Sequence, residues 1–254
     1  MSLTRVKALA LAAATVALGA CAEYTITAPK TPNQPRLTSR PVEFVQPSIE
    51  AGIHRFTRRT TKIVAYVPSS ALVRRTIPVD LVLHGSARDV EMLVEAHRPY
   101  ADKNGVVILA PYAANGTWDA INTTFGPDVA GIDIALSWLF DVLPINPNQI
   151  GISGFSDGAT YSLAIGRANG DLFKRIVAYS PGFIIDVEPV GQPAIAISHG
   201  TRDEELPYEK TRDQIVPTLK QGGYGVDFRT FDGPHIPLIE LIEESLAKLA
   251  DFED

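Results

Sequence analysis

Cysteine, methionine and tryptophan are scarce in this chain: one, two and two among 254 residues. A single thiol excludes an intramolecular disulfide and leaves any cysteine-based zinc cage short of ligands. Positive charge is also short, with 23 Lys and Arg against 29 Asp and Glu and a formal charge of -6. No chain-wide basic surface exists to hold a phosphate backbone, so nucleic acid is not an expected partner. No internal repeat of solenoid or propeller length is visible. What is there, 45% hydrophobic and 20% charged residues, belongs to an ordinary globular chain and not to a collagen, coiled coil or disordered polymer.

An uncharged apolar run extends from Ala8 to Ala20 behind Arg5 and Lys7 and closes on small residues. That is the layout of a secretory signal peptide. The run is shorter than the roughly 20 residues a helix needs to cross a bilayer. Its ending, Leu18-Gly19-Ala20-Cys21, resembles a bacterial lipobox, in which the cysteine is acylated and becomes the new N-terminus; cleavage after Ala22 is the alternative. An acylated Cys21 implies attachment to a lipid bilayer and a place in the bacterial cell envelope, facing the periplasm or exterior; a secreted soluble protein is the other expectation. From Ala22 to Pro41 the chain is rich in Pro, Thr, Asn and Ser, and reads as an extended tether. The expected organisation is therefore a signal peptide over 1–21, a tether over 22–41 and one folded domain over 42–254.

In the folded part, short apolar runs alternate with stretches of helical period. An N-terminal strand pair is expected from Ile53 to Val67, then strands at Pro78–Leu83, Val106–Ala110, Gln149–Ser153, Arg175–Ser180, Ala194–Ser198 and Asp227–Phe231. Helices are expected over Asp89–Lys103, from Asp128 as cap to Leu143, over Ala159–Ala168, and after Pro237 at the first turn of a final helix. Such alternation predicts an α/β fold with a mostly parallel sheet covered on both faces. In such sheets a crevice opens beyond the carboxyl ends of the strands.

Three strand ends hold residues of matching chemistry. Gly154-Phe155-Ser156-Asp157-Gly158 is a G-x-S-x-G sequence between a strand and a helix, which presents a serine hydroxyl on a sharp turn. A serine nucleophile needs a base, and the base needs a carboxylate to set its tautomer. Of five histidines, His235 follows the last strand on a loop able to reach Ser156, whereas His97 lies on the apolar stripe of a helix and reads as core. Asp203 is the candidate acid, with Glu204, Asp186 and Asp232 as competitors. The order Ser156, Asp203, His235 goes with this kind of elbow. The backbone N–H groups of Asp157 and Ser86 are the candidate oxyanion donors. Asp157 then raises a question, since its carboxylate must turn away from a developing negative charge.

Together, His84-Gly85-Ser86, the Ser156 elbow, His199-Gly200-Thr201-Arg202-Asp203 with Leu206-Pro207, and Phe231-Asp232-Gly233-Pro234-His235 resemble the α/β-hydrolase superfamily. The likeness is strongest to its phospholipase/carboxylesterase branch, with some to polyhydroxyalkanoate depolymerases and feruloyl esterases. It runs from about residue 50 to the end and takes in Thr117-Trp118-Asp119, Gly126-Pro127-Asp128-Val129 and Ser180-Pro181-Gly182-Phe183. What it implies is a serine hydrolase of carboxylic esters with Ser156, Asp203 and His235 as triad, no metal and no cofactor. Two departures stand out: Ser86-Ala87-Arg88 where relatives often have a further glycine pair, and Pro217 inside an expected helix from Tyr208 to Gln221, which it is expected to kink or split.

The interval between the strands near Val106 and Gln149 is too short for a large cap domain, so an open, shallow pocket is expected. Trp118, Phe155, Leu206 and Ile236 are its candidate lining, with Tyr161 and Phe183 nearby. Arg88 or Arg202 is a candidate to attract an anionic group. The substrate class is a small ester. A non-catalytic, lipid-anchored binding protein on the same scaffold, and a peptidase or amidase with the same triad, are the alternatives. Oligomeric state is not legible.

Overall fold

The computed structural model describes residues 34–43, 45–86 and 89–251. The signal-peptide and Cys21 readings, most of the tether and Arg88 lie outside the described residues.

Eight strands form one sheet: β1 (Gly52–Arg58), β2 (Thr61–Val67), β3 (Ile77–Leu83), β4 (Val107–Pro111), β5 (Ile145–Phe155), β6 (Arg175–Tyr179), β7 (Ala194–Gly200) and β8 (Val226–Phe231). Their spatial order is β1-β2-β4-β3-β5-β6-β7-β8. The first two ladders, β1 with β2 and β2 with β4, are antiparallel; every later pair is parallel. The helices are α1 (Val90–Asn104), α2 (Asp119–Asn122), α3 (Pro127–Val142), α4 (Asp157–Ala168), α5 (Tyr208–Lys210), α6 (Val216–Gln221) and α7 (Ile239–Ala250). No large cap interrupts them: α2 and α3 occupy the interval between β4 and β5.

The apolar strands are buried on both faces, as parallel strands under crossover helices must be. Val79, Leu81 and Leu83 of β3 pack with Ile132, Leu136 and Leu139 of α3 and Leu163 of α4. Val82, pointing the other way, packs with Leu93 and Val94 of α1 and Leu246 and Leu249 of α7. The parallel strands β3 to β8 deliver their carboxyl ends to one rim of the sheet, where the loops carrying Ser156, Asp203 and His235 begin.

Three local expectations are corrected, and a fourth, the break at Pro217, is met. Asp128 does not cap α3 but is its second residue and is buried, accepting from Ala114 N at 2.6 Å and Asp119 N at 2.7 Å. The orphan N–H groups at that end go to Asp119 Oδ2, from Gly126 at 2.8 Å and Asp128 at 3.0 Å, a cap supplied from upstream that local spacing does not reveal. Pro237 precedes α7, whose cap position is Leu238. The chain from Gln34 to Pro41 is extended but bound to the domain: Asn169 bonds Leu37 N at 2.8 Å and Pro35 O at 2.7 Å, and Asp171 pairs with Arg36 and Arg40. Composition gave extension there, while the partners that hold it lie more than a hundred residues away. Pro217 splits the expected Tyr208–Gln221 helix: a π-helical turn over Thr211–Ile215 joins α5 to α6, with the Val216 N–H reaching back to Thr211 O.

One buried group has a consequence for stability. Asp80, on the α1/α7 face of β3, accepts from Ser153 Oγ at 2.7 Å, and burial raises its carboxyl to about 7, offset only in part by the Ser153 hydroxyl and the Arg175 charge. The unfolded carboxyl ionises near pH 4, so folding is opposed progressively between about pH 4 and 7 and by a constant amount above, at most about 4 kcal/mol. Asp80→Asn keeps an oxygen for the Ser153 hydroxyl and removes that opposition. Thermal unfolding should show a rise in Tm at pH 8 of roughly 5–10 °C and almost none at pH 4; equal shifts at both pH values would refute the assignment.

Candidate active site

The Ser156 turn is built by exclusion of side chains. Ser156 has φ 59° and ψ -119°, a conformation that costs an L-residue about 1–3 kcal/mol and has to be held by its surroundings. Gly154 and Gly158 do this by lacking Cβ atoms. A Cβ on Gly154 would run into the Gly158 carbonyl, and one on Gly158 would lie 2.5 Å from His84 O and closer still to Leu83 O. The Ser156 N–H is tied to Tyr179 O at 2.9 Å, and α4 begins at the next residue. The serine is 8% exposed, at the positive end of that helix.

Base and acid arrive on two loops tied to each other. Past β7, Thr201 N donates to Phe231 O at 2.9 Å and Arg202 N to Gly233 O at 3.0 Å. Gly200 permits the crossing, since a Cβ there would collide with the backbone at Gly233 and Pro234. His235 Nδ1 then stands 2.6 Å from Asp203 Oδ2. Because the carboxylate only accepts, Nδ1 carries the hydrogen, which leaves Nε2 as the basic nitrogen. Nε2 is buried, without a hydrogen-bond partner among the described residues, and the side chain is 8% exposed. The ring leans on Phe155, with centroids 4.6 Å apart.

Asp203 is held as an anion. Burial by itself would raise its carboxyl, but hydrogen bonds from Leu206 N (2.8 Å), His235 and Glu205 N (3.0 Å) outweigh it and bring the pKa below the ordinary carboxylate value. The competing acids do not reach His235. Asp232 pairs with Arg202 at 2.7 Å and braces its own loop, and Glu204 and Asp186 are exposed.

The rim opposite is equally fixed. Ala113 N donates to His84 Nε2 at 3.0 Å, so the His84 proton is on Nδ1, which donates to Gly85 O at 2.6 Å and holds the loop leading to Ser86. The Asp157 carboxylate turns to the Thr117 hydroxyl at 2.6 Å, leaving its backbone N–H, at the first residue of α4, without an intrahelical acceptor.

Ser156 and His235 share a cavity of about 150 Å³ with Gly85, Ser86, Phe155, Glu205 and the start of α1 (Asp89, Met92, Leu93). Larger hollows occur elsewhere; the one near Pro41, Arg75 and Pro144, about 460 Å³, is lined by no serine or histidine. Of the four expected lining residues only Phe155 is at the cavity, together with the expected oxyanion donor Ser86; Trp118, Leu206 and Ile236 are not, nor are the neighbouring Tyr161 and Phe183. Trp118 is 1% exposed, its indole N–H bonded to His84 O at 2.8 Å and its ring stacked on Tyr161, so it is core. Tyr161 donates to Asp119 and is also core. Leu206 packs over Gly182, and Ile236 is 47% exposed outside the cavity, as is Phe183 on the surface. Periodicity cannot separate an aromatic near a strand end that packs inward from one that faces a pocket. Glu205 and Met92 were missed; an exposed methionine three residues after the cap of α1 is the one local signal that pointed there.

No protein-family model matches the chain. Over 172 residues it is 26% identical to a probable feruloyl esterase C from Aspergillus flavus, covering 65% of this chain and 62% of that protein. The chain thus spans less than two thirds of the curated relative it matches. Among solved structures, an S-formylglutathione hydrolase from Staphylococcus aureus superposes with a TM-score of 0.62 at 14% identity, over 78% of this chain and 98% of that one. An α/β-hydrolase enzyme from a Medee basin deep-sea metagenome gives 0.59 at 19% identity, over 79% and 98%.

Proposed function

The chain carries an α/β-hydrolase fold, and on that premise we propose that it is a serine hydrolase cleaving small carboxylic esters through an acyl-enzyme intermediate. The observation that carries this reading is the convergence, in one cavity, of a strained Ser156 with a His235 whose Nε2 is buried and unpartnered among the described residues and whose Nδ1 is 2.6 Å from Asp203. The names of the relatives, a feruloyl esterase and an S-formylglutathione hydrolase, support ester or thioester cleavage over peptide cleavage.

In the first half-reaction Ser156 Oγ attacks the ester carbonyl carbon while His235 Nε2 takes its proton, and Asp203 stabilises the imidazolium. The carbonyl oxygen gains the negative charge and is received by the N–H groups of Ser86 and Asp157, with the N-terminus of α4 behind them. Collapse breaks the bond to the alcohol oxygen, which leaves with the proton from His235. Water then repeats the sequence on the acyl-serine, releasing the acid and restoring Ser156.

A cavity of about 150 Å³ accommodates a short acyl chain. Purified protein should hydrolyse p-nitrophenyl acetate and butyrate at least about tenfold faster, as kcat/KM, than the decanoate, whose chain outruns the cavity and reaches Ser156 only at a cost in reactive positioning. It should also be labelled by a fluorophosphonate at Ser156. A folded sample that neither labels nor turns over these esters would sink the proposal.

A further inference from the structure

Asp203 has two histidine neighbours, and only one has entered the mechanism. His199, next to last in β7, has a fully buried side chain; its Nε2 lies 2.9 Å from Leu206 O and 3.0 Å from Asp203 Oδ2, the oxygen that also accepts from His235. Both neighbours of Nε2 are acceptors with no hydrogen to offer, so this nitrogen carries the proton. Nδ1 lies 2.8 Å from Thr211 Oγ1. Burial lowers the His199 pKa, with the Leu206 carbonyl and Asp203 offsetting part of the effect, so the ring is neutral near pH 7, and Nδ1 shares the one Thr211 hydroxyl hydrogen with Pro181 O, 3.1 Å from Oγ1.

This arrangement closes the turn that carries the acid. Leu206 N donates to Asp203 Oδ1 at 2.8 Å, while Leu206 O faces His199 Nε2–H, so His199 grips the turn from the far side. The same N–H edge, the positive side of the ring, faces Oδ2 and offsets part of the charge that Asp203 directs at His235.

We propose that His199 is a positioning residue for Asp203, fixing the 203–206 turn and moderating the pull of the carboxylate on His235. This rests on the reading of Ser156, Asp203 and His235 as a triad. Without His199 the carboxylate faces His235 with less competition, the imidazolium is favoured, and a higher pH is needed to free the base. The other charged or titratable groups nearby are Glu205, whose carboxylate is 72% exposed and 3.9 Å from His235 Nε2, the surface pair Arg202–Asp232, and Tyr208, its ring 6.1 Å from His199. A change at position 199 removes none of these charges, although it takes away the ring that Tyr208 packs against.

The test is the pH profile of kcat and KM for p-nitrophenyl butyrate in His199→Leu and His199→Gln. In the leucine variant kcat should fall about 10- to 100-fold with KM within about twofold, and the acid limb should move up by about half a pH unit or more. Glutamine, whose amide N–H extends toward the place of Nε2–H, should recover most of the rate and return the limb toward its original position. A leucine variant whose acid limb does not move, whatever its rate, overturns the proposal. Should that variant not fold, nitrogen-resolved imidazole NMR of the unaltered protein decides: His199 neutral with its proton on Nε2 from pH 6 to 9 supports the assignment, and a proton on Nδ1 or titration near 6.5 overturns it. Fluorophosphonate labelling of the unaltered protein separates the two readings, because absent labelling removes the hydrolase itself, whereas labelling with an unmoved limb removes only the role of His199.

Discussion

Ser156→Ala should lower kcat for p-nitrophenyl butyrate by about 10⁴-fold or more and abolish fluorophosphonate labelling, while leaving the thermal unfolding curve within about 1 kcal/mol of the parent. Both parts follow from the geometry. The hydroxyl is the only group at that position able to form the acyl bond. The strained φ of 59° is imposed by the backbone around it and not by the side chain, so alanine inherits the same turn. Nucleophile and base act as one unit, so adding His235→Ala to Ser156→Ala should cost little more than either alone. A double variant slower than Ser156→Ala by another 10³-fold would mean that His235 serves some other nucleophile.

Gly158→Ala should be among the most damaging glycine-to-alanine changes in the described residues. Its Cβ would lie 2.5 Å from His84 O and nearer still to Leu83 O; Leu83 is the last residue of β3, paired in the sheet, and His84 O is held by the Trp118 indole N–H at 2.8 Å. A flexible side chain could swing aside, but a strand end cannot. A loss of about 3–5 kcal/mol is expected, read as a fall in Tm of roughly 8–15 °C, together with loss of activity as the Ser156 turn is displaced. Gly116→Ala is the control, because nothing lies within 4 Å of the added methyl; its Tm should stay within about 2 °C. Equal effects at the two sites would show that the crowding at Gly158 is relieved by relaxation.

Much of this frame was legible along the chain because the responsible interactions are local. Strand β3 reads as Val79, Leu81, Val82 and Leu83 followed by His84-Gly85, and it ends there in the structure. His97 was expected in the core and is buried, bonded to Leu93 O one turn back. The Asp157 carboxylate had to turn away from the site, and its partner, Thr117, came into view only in three dimensions. The same limit explains the errors. Trp118 and Tyr161 read as pocket residues until His84 O and Asp119 supplied buried partners for their polar atoms. Asp119 caps α3 from upstream, and Asn169 binds the segment at Pro35 and Leu37 from more than a hundred residues downstream. Periodicity shows which face of an element is apolar but not which distant group will satisfy a polar atom on it.

The shortage of cysteine and of positive charge, the strand and helix alternation and the spacing at Gly154-Phe155-Ser156-Asp157-Gly158 were settled by the sequence alone, since composition and short-range sterics need no knowledge of neighbours. Only the tertiary structure decided that Asp203, and not Glu204, Asp186 or Asp232, bonds His235 Nδ1, that the cavity is formed with Met92, Leu93 and Glu205 and without Trp118, and that a second histidine stands behind the acid. The physical reason is common to all three: each depends on loops from β5, β7 and β8 converging over one rim of the sheet, and that convergence is fixed by strand order and long-range packing.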